Sequence, residues 1–439
     1  MTPTLLTGQQ QTSLSSSSIA ATTITTTTTA TSDPVSTMVS LNISEPSHPP
    51  STSTVPLTPA TVTTSTGQRK PIRIWVDGCY DVMHHGHFNA LRQAKAMGDI
   101  VVAGVHSDAE LLLHKGPTVM NENERMAAVA ACKWVDEVVP NAPYSTSLEW
   151  MDKYNCDYCV HGDDTSTLAD GTDSFKYVKA QGRYLECKRT KGVSTTDLVN
   201  RMLLMTSQQQ GKEQEQGQGG QAVREGNGGS TITGRVEQQQ QRTQQQHEVL
   251  STARKISTFA RGNRDPQKGD RIIYVDGTFD LFHVGHIEFL KRAKARGDYL
   301  VVGVYDDATV RTIKGARHPL MSMHERVLAL LACRHVDDVI LSAPYYLTEH
   351  VLDGDFTVHE VVRGSHHHHR RQERTTQDSE MKADPYQLAK ERGIFVQLDG
   401  PAHEVTTQSI VHRIDKQRAM YEERQRRRAL KDAAATAKK

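Results

Sequence analysis

Two histidines bracketing a glycine occur twice in this chain, each time closing the same phrase. The first is Asp77-Gly78-Cys79-Tyr80-Asp81-Val82-Met83-His84-His85-Gly86-His87, and the second is Asp276-Gly277-Thr278-Phe279-Asp280-Leu281-Phe282-His283-Val284-Gly285-His286. Each follows a short apolar run and opens a helix-like run. A helix amino terminus presents unpaired N–H groups and the positive end of the dipole, which favours phosphate. Imidazoles there can donate to phosphate oxygens, and the glycine lets the backbone approach. One such turn could be two surface histidines; two copies in matching context make a polyphosphate the better reading.

Two further features have the same chemistry. Lys115-Gly116, matched by Lys314-Gly315, puts a mobile point charge on a glycine-flanked loop. Arg189-Thr190-Lys191-Gly192-Val193-Ser194-Thr195-Thr196-Asp197 precedes a helix-like stretch, Leu198 to Met205. Hydroxyls before a helix are often a plain N-cap. Arg189 and Gly192 tilt the reading to a second anion site.

The elements that must carry these residues repeat with them. Asp77 to Asp276 and Lys115 to Lys314 share an offset of 199 (276 − 77; 314 − 115), and Arg125 to Arg326 gives 201 (326 − 125). A shared offset of that size marks duplication of a whole domain. Ile74 to Val76 and Ile272 to Val275 suit buried parallel strands; Ile100 to Val105, Tyr299 to Val304, Val135 to Val139 and Val336 to Leu341 suit the next ones. Gly98 and Gly297 stand where a helix C-cap glycine would. Alternating β and α predicts an α/β class: two Rossmann-like nucleotidyltransferase domains, each a parallel sheet covered by helices, joined by a flexible linker. The expected boundaries are a disordered Ser/Thr/Pro-rich segment at 1–70, a catalytic domain at 71–206, a Gln/Gly-rich linker at 207–269, a second domain at 270–415 and a charged tail at 416–439.

Composition excludes several classes. With 52 basic and 51 acidic residues the net charge is +1, without the basic excess of a nucleic-acid binder. No run approaches the roughly 20 apolar residues of a membrane span, and no signal segment opens the chain, so the expected place is the cytoplasm. Cys156 and Cys159 form a lone CxxC, read as strand packing ahead of metal or redox use. The His366 to His369 tract reads as a solvated loop, and no protein metal site is expected.

HxGH followed by RTxGVSTT resembles the signature of the cytidylyltransferases, and two such domains in tandem resemble those acting on ethanolamine phosphate. The likeness covers about 72–205 and 271–415. It implies that CTP and phosphoethanolamine are the partners, with Mg²⁺ accompanying the nucleotide and pyrophosphate leaving. By the same resemblance His84, His87, Lys115 and Arg189 would be catalytic. Gly78, Cys79, Tyr80, Arg125, Gly192, Ser194, Thr195 and Thr196 would bind CTP. Asp81, Tyr144, His161 and Asp163 would meet the second substrate, with Asp81 facing its ammonium. His283, His286, Lys314 and Arg326 are the second-domain counterparts. Self-association and peripheral contact with a membrane such as the endoplasmic reticulum are left open.

The second copy departs from the pattern. Pairing Thr195-Thr196 with Thr406-Thr407 puts Gly400 opposite Arg189, His403 opposite Gly192 and Val405 opposite Ser194, and Arg363 stands opposite His161. The first domain is therefore expected to be catalytic and the second inactive or regulatory. Tyr144 in place of an aromatic cage, with Thr165-Ser166-Thr167 after His161-Gly162-Asp163-Asp164, favours a primary ammonium over choline. Rivals are a phosphocholine or glycerol-3-phosphate cytidylyltransferase, a class I aminoacyl-tRNA synthetase, and a non-catalytic nucleotide-binding regulator. The tail, with Arg426 to Arg428, lacks an apolar face and reads as a solvated helix.

Overall fold

The computed structural model describes residues 69–163, 172–215, 250–364, 383–399 and 404–436. The Ser/Thr/Pro-rich segment, the middle of the linker, the polyhistidine tract and the Thr165-Ser166-Thr167 run lie outside them. The first half runs β1 (Arg73–Gly78), α1 (His85–Met97), β2 (Ile100–His106), α2 (Asp108–His114), α3 (Glu122–Ala130), β3 (Glu137–Ala142), α4 (Leu148–Lys153), β4 (Tyr158–Gly162), α5 (Lys176–Ala180), β5 (Tyr184–Cys187) and α6 (Thr195–Glu215). A helix α7 (250–260) leads to the second half: β6 (Ile272–Gly277), α8 (Val284–Lys294), β7 (Tyr299–Val304), α9 (Asp307–Lys314), α10 (Met323–Leu331), β8 (Asp338–Leu341), α11 (Glu349–Asp353), β9 (Glu360–Gly364), α12 (Gln387–Glu391), β10 (Phe395–Leu398), α13 (Thr407–Lys416) and α14 (Arg418–Thr436).

Each half holds a parallel five-stranded sheet, in the orders β3-β2-β1-β4-β5 and β10-β9-β6-β7-β8. β1 shows why: its side chains alternate between two apolar faces. Ile74 and Val76 enter the core under α1 and α3, while Trp75 enters the one under α4 and α5 with Val102, Met151 and Cys159. The chain leaves β1 for β2 on one side and reaches β4 on the other, so the crevice at the carboxyl end of β1 is the switch point where ligands bind. The third strands start at Glu137 and Asp338 rather than Val135 and Val336. Just before β3, Asp136 uses its carboxylate to accept the Val101 N–H and the Lys95 ammonium.

Three expectations need correction. Gly98 is extended, not a left-handed cap. A Cβ there would meet Ile74 Cγ1 at 2.5 Å and Ile72 O at 3.0 Å, so the glycine serves close packing of α1 on β1. Second, the latter part of the 207–269 linker is ordered. Phe259 of α7 packs edge-on against Trp134, ring centroids 5.2 Å apart, and Lys133 Nζ donates to Phe259 O at 2.7 Å. Third, the tail is not merely solvated: Tyr421 of α14 is buried among Val119, Met120, Leu198, Met202 and Ile414.

One of the apolar cores, on the α1 and α8 side, is shared by both halves. It runs from Phe88, Leu91 and Val129 through Cys132 and Cys333 to Leu290 and Leu328. Lys133 N donates to Ala332 O at 2.9 Å and Arg334 N to Ala131 O at 2.8 Å, a reciprocal pair about a local pseudo-twofold axis. Arg413 makes a two-pronged bond to buried Glu124, and Arg201 makes the same bond to Glu325. Cys156 and Cys159 are buried, and burial pushes both thiols up, Cys156 to about 11, which suits packing and not redox work. Among the described residues no helix is long and apolar enough to cross a membrane.

Candidate active site

The HxGH turn is held in an unusual backbone shape. Tyr80 and Val82 have φ of +51° and +46°, and their counterparts Phe279 and Leu281 have +51° and +49°. Left-handed φ at such residues costs roughly 1–3 kcal/mol each, so the surroundings must impose it. They do so from two sides. The Asp81 carboxylate accepts the N–H groups of Val119 and Met120 at 2.9 to 3.1 Å, and Thr195 Oγ1 donates to Asp81 O at 3.0 Å. The Tyr80 hydroxyl donates back to Val76 O at 3.3 Å.

This clamp delivers His84 and His87 to the start of α1. His84 is the N-cap: its Nδ1 accepts the Gly86 N–H at 3.1 Å. The His87 ring stacks on it at 4.0 Å and 27°, with Nδ1 3.4 Å from His84 N. Burial and the neighbouring charges hold both rings below the usual range, His84 well below and His87 at about 4. At neutral pH each is an uncharged imidazole with Nδ1 engaged on the backbone. The proton then sits on Nε2, which makes each a hydrogen-bond donor suited to a phosphate oxygen.

A cavity of about 290 Å³ opens over this turn at the carboxyl ends of β1 and β4. Gly78, Cys79, Tyr80, His84, His87, Lys115, His161, Arg189, Ser194 and Thr195 all line it, so most of the expected site converges. Lys115, at the C-cap of α2, also lies 5.5 Å over the Tyr144 ring. Gly86 is needed because a Cβ there would meet the His84 ring at 2.8 Å and Val193 at 3.1 Å, wedging α1 away from the Arg189–Thr196 segment.

Several expected site residues lie elsewhere. Asp81 is 1% exposed and spent on backbone N–H groups, so it anchors a loop and does not face an ammonium. Arg125 is fully buried, donating to Cys79 O at 2.8 Å, Met120 O at 3.2 Å and Asp108 Oδ1 at 2.8 Å; it braces the cavity floor without touching the cavity. Asp163 accepts the Arg189 N–H at 2.9 Å and so positions Arg189. Tyr144 stacks on His114 at 4.2 Å beside the cavity wall. Gly192 has φ of +79°, a turn requirement, and Thr196 meets the tail through its carbonyl. Two residues were missed. Asp77, first in the motif, lines the cavity and accepts from Thr146 Oγ1 and, at 3.3 Å, from Trp75 Nε1. Arg424, from α14, lines it too.

The second half keeps the turn, and its described residues leave far less space at the matching position. His283 Nδ1 accepts Gly285 N–H at 3.1 Å, and His286 stacks on it at 3.8 Å. Arg326 bonds Thr278 O and Met321 O as Arg125 bonds their counterparts. Yet the space that Lys314 and Arg363 line measures about 30 Å³. The Tyr386 hydroxyl donates to Asp276 Oδ1 at 2.5 Å, and Arg363 lies 4.9 Å over the Tyr386 ring. The register of the late motif also needs correction. Thr407 Oγ1 donates to Asp280 O as Thr195 does to Asp81 O, so the offset is 212 (407 − 195), shared by Arg201 and Arg413 (413 − 201). Opposite Arg189 and Gly192 stand Pro401 and Glu404, not Gly400 and His403, so the arginine and the turn glycine are both replaced.

Comparison with known proteins agrees with this geometry. Residues 75–201 and 274–413 both match the family described as cytidylyltransferase-like. An ethanolamine-phosphate cytidylyltransferase of Dictyostelium discoideum is 46% identical over 84% of this chain and 97% of its own. Those of Mus musculus and Arabidopsis thaliana are 44% and 42% identical over 84% of this chain, and 92% and 85% of theirs. By two matched segments and by likeness along most of its length, the chain belongs to the tandem cytidylyltransferases, among the ethanolamine-phosphate cytidylyltransferases.

Proposed function

We propose that the chain transfers the cytidylyl group of CTP to phosphoethanolamine, giving CDP-ethanolamine and pyrophosphate, and that the first half does the chemistry. The reaction serves phosphatidylethanolamine synthesis through CDP-ethanolamine. The observation that carries the assignment of the half is the open cavity: His84, His87, Lys115 and Arg189 converge on about 290 Å³ in the first half against about 30 Å³ in the second. A phosphoethanolamine oxygen attacks the α-phosphorus of CTP in line, the new P–O bond forms, and the bond to the β-phosphate oxygen breaks. The two neutral imidazoles donate Nε2–H to oxygens that gain charge, and Lys115 and Arg189 neutralise it, so catalysis is positioning plus electrostatics. Asp77 is the acceptor for the substrate's ammonium. Among the described residues no group of three His, Cys, Asp or Glu is set to hold a metal. Magnesium, when present, would lower the charge of the CTP phosphates.

The test is pyrophosphate release from CTP with a panel of phospho-alcohols. Phosphoethanolamine is expected to outrun phosphocholine and glycerol 3-phosphate by at least tenfold in kcat/KM. Equal rates across the panel would overturn the substrate assignment. Loss of all rates on replacing His283 and His286, with His84 and His87 intact, would overturn the assignment of the half.

A further inference from the structure

The helix that ends the chain, after the second half, lies against the lysine loop of the first. Resting on the reading that the first half is catalytic, we propose that Arg424 of α14 is a positioning residue of that half's site and sets where Lys115 stands. Tyr421 is the anchor: 1% exposed, it donates its hydroxyl to Thr118 O at 2.9 Å. One turn on, Arg424 Nη1 donates to Pro117 O at 2.7 Å and lies 3.9 Å from Asp81 Oδ2. Gln425 Nε2 reaches Thr196 O at 3.3 Å, on the opposite wall.

The loop from Lys115 to Met120 is thus gripped on two sides. From below, Asp81 takes the N–H groups of Val119 and Met120. From above, Arg424, Tyr421 and Arg413 take the carbonyls of Pro117, Thr118 and Val119. Only Gly116, at φ of +89°, separates the pinned segment from Lys115. The stem of Arg424 passes over that hinge, its Cδ 3.9 Å from where a Gly116 Cβ would sit. The guanidinium also balances the buried charge of Asp81. The pair is not repeated by sequence: positions 212 earlier than Tyr421 and Arg424 carry Gln209 and Lys212, so the anchoring ring is lost and the guanidinium becomes an ammonium. The second half therefore supplies a residue that the first half's site needs.

Steady-state kinetics of the full chain with CTP and phosphoethanolamine test this. Arg424→Ala is expected to lower kcat about 10- to 100-fold, the scale of misplacing one catalytic group by an ångström, with an unchanged melting temperature and partial recovery in Arg424→Lys. In a Lys115→Ala background the same change should cost less than about threefold, because the group it positions is gone. A merely structural role would cost the same in both backgrounds, and that result, or Arg424→Ala within twofold of the parent, overturns the inference. If Arg424→Ala does not fold, Arg424→Gln is read by the same two criteria. These failures leave the parent enzyme active; a parent chain that releases no pyrophosphate sinks the functional reading instead.

Discussion

The two halves carry the same HxGH turn in the same shape, and among the described residues the space beside it is about 290 Å³ in the first and about 30 Å³ in the second. The paired rings sit 4.0 and 3.8 Å apart at the same 27° tilt, and both N-cap imidazoles accept the same glycine N–H. The buried anchors match too: Asp81 with Asp280, Arg125 with Arg326, Thr195 with Thr407. What differs lies at the cavity or beside it. Arg363 stands for His161, Tyr386 for Phe175, Pro401 for Arg189 and Glu404 for Gly192. In the second half the turn caps α8 and closes a core, so folding alone is reason enough for its survival.

The most severe way to break this contrast is to remove the paired imidazoles from each half in turn. His84→Ala with His87→Ala is expected to lower kcat by more than about 10³, since one preorganised donor is worth roughly 10² to 10³. His283→Ala with His286→Ala should leave kcat within about threefold. Equal losses would make the halves catalytic partners. A finer cut uses the first residue of each motif. Asp77→Asn should lower kcat/KM for phosphoethanolamine by about 10²-fold, the loss of one buried charge-assisted contact. Asp276 accepts the Tyr386 hydroxyl instead, and burial pushes its carboxyl up to about 6. Raised above its unfolded value, it stabilises the fold most at low pH and least above 6. Asp276→Asn should therefore leave activity alone and raise stability at pH 7.5 by about 1–3 kcal/mol, measured by urea melts.

These contrasts also explain what could be read from the sequence. The strands, the turns and the cavity-lining histidines were legible because their signals are local: an apolar run, a cap, a glycine. Asp81 and Arg125 were placed correctly along the chain and wrongly in depth. A charged residue in a motif looks like a ligand contact, yet 0–1% exposure turns Arg125 and Asp81 into backbone partners. One clue was available: Asp81 and Arg125 recur in the half that lost its late motif, whereas Arg189 and His161 do not. The tail was illegible for a different reason. Its contacts span 303 and 307 residues, and nothing local distinguishes Tyr421 and Arg424 from a solvated charged helix.

The seam between the halves offers a test of their likeness. Glu124 and Glu325 are each about 5% exposed, and each is gripped by an arginine from the other half that is about one-third exposed. Breaking a buried pair costs roughly 3–5 kcal/mol, and the exposed arginine heads cut that to about 1–2. Glu124→Gln and Glu325→Gln should cost the same within about 0.5 kcal/mol if the pseudo-twofold is energetic as well as geometric. Glu124→Gln should also lower activity, because Arg413 bonds Val119 O in the lysine loop; Glu325→Gln should not. Differential scanning and kinetics on the two variants read both halves of this statement.

The smallest expected effect is a pH dependence carried by the buried histidines, largest for those of the first half's turn. Burial holds His85 and His87 at about 4 and His84 well below its usual range. Folded, these rings stay neutral where the unfolded chain, near 6.5, has begun to charge. The unfolded state binds more protons between about 4 and 6.5, so stability rises with pH through that window and is flat above it. Each ring contributes a slope of up to about 1.4 kcal/mol per pH unit. His85 is the clean probe: it points from α1 toward His324 of α10, ring centroids 6.2 Å apart, and does not line the catalytic cavity. His85→Gln should flatten the slope of urea-derived stability between pH 4.5 and 6 by about one proton's worth and leave kcat at pH 7.5 within about twofold. An unchanged slope would mean that the imidazole at the seam is already charged in the folded chain, with Glu325 as its counter-ion.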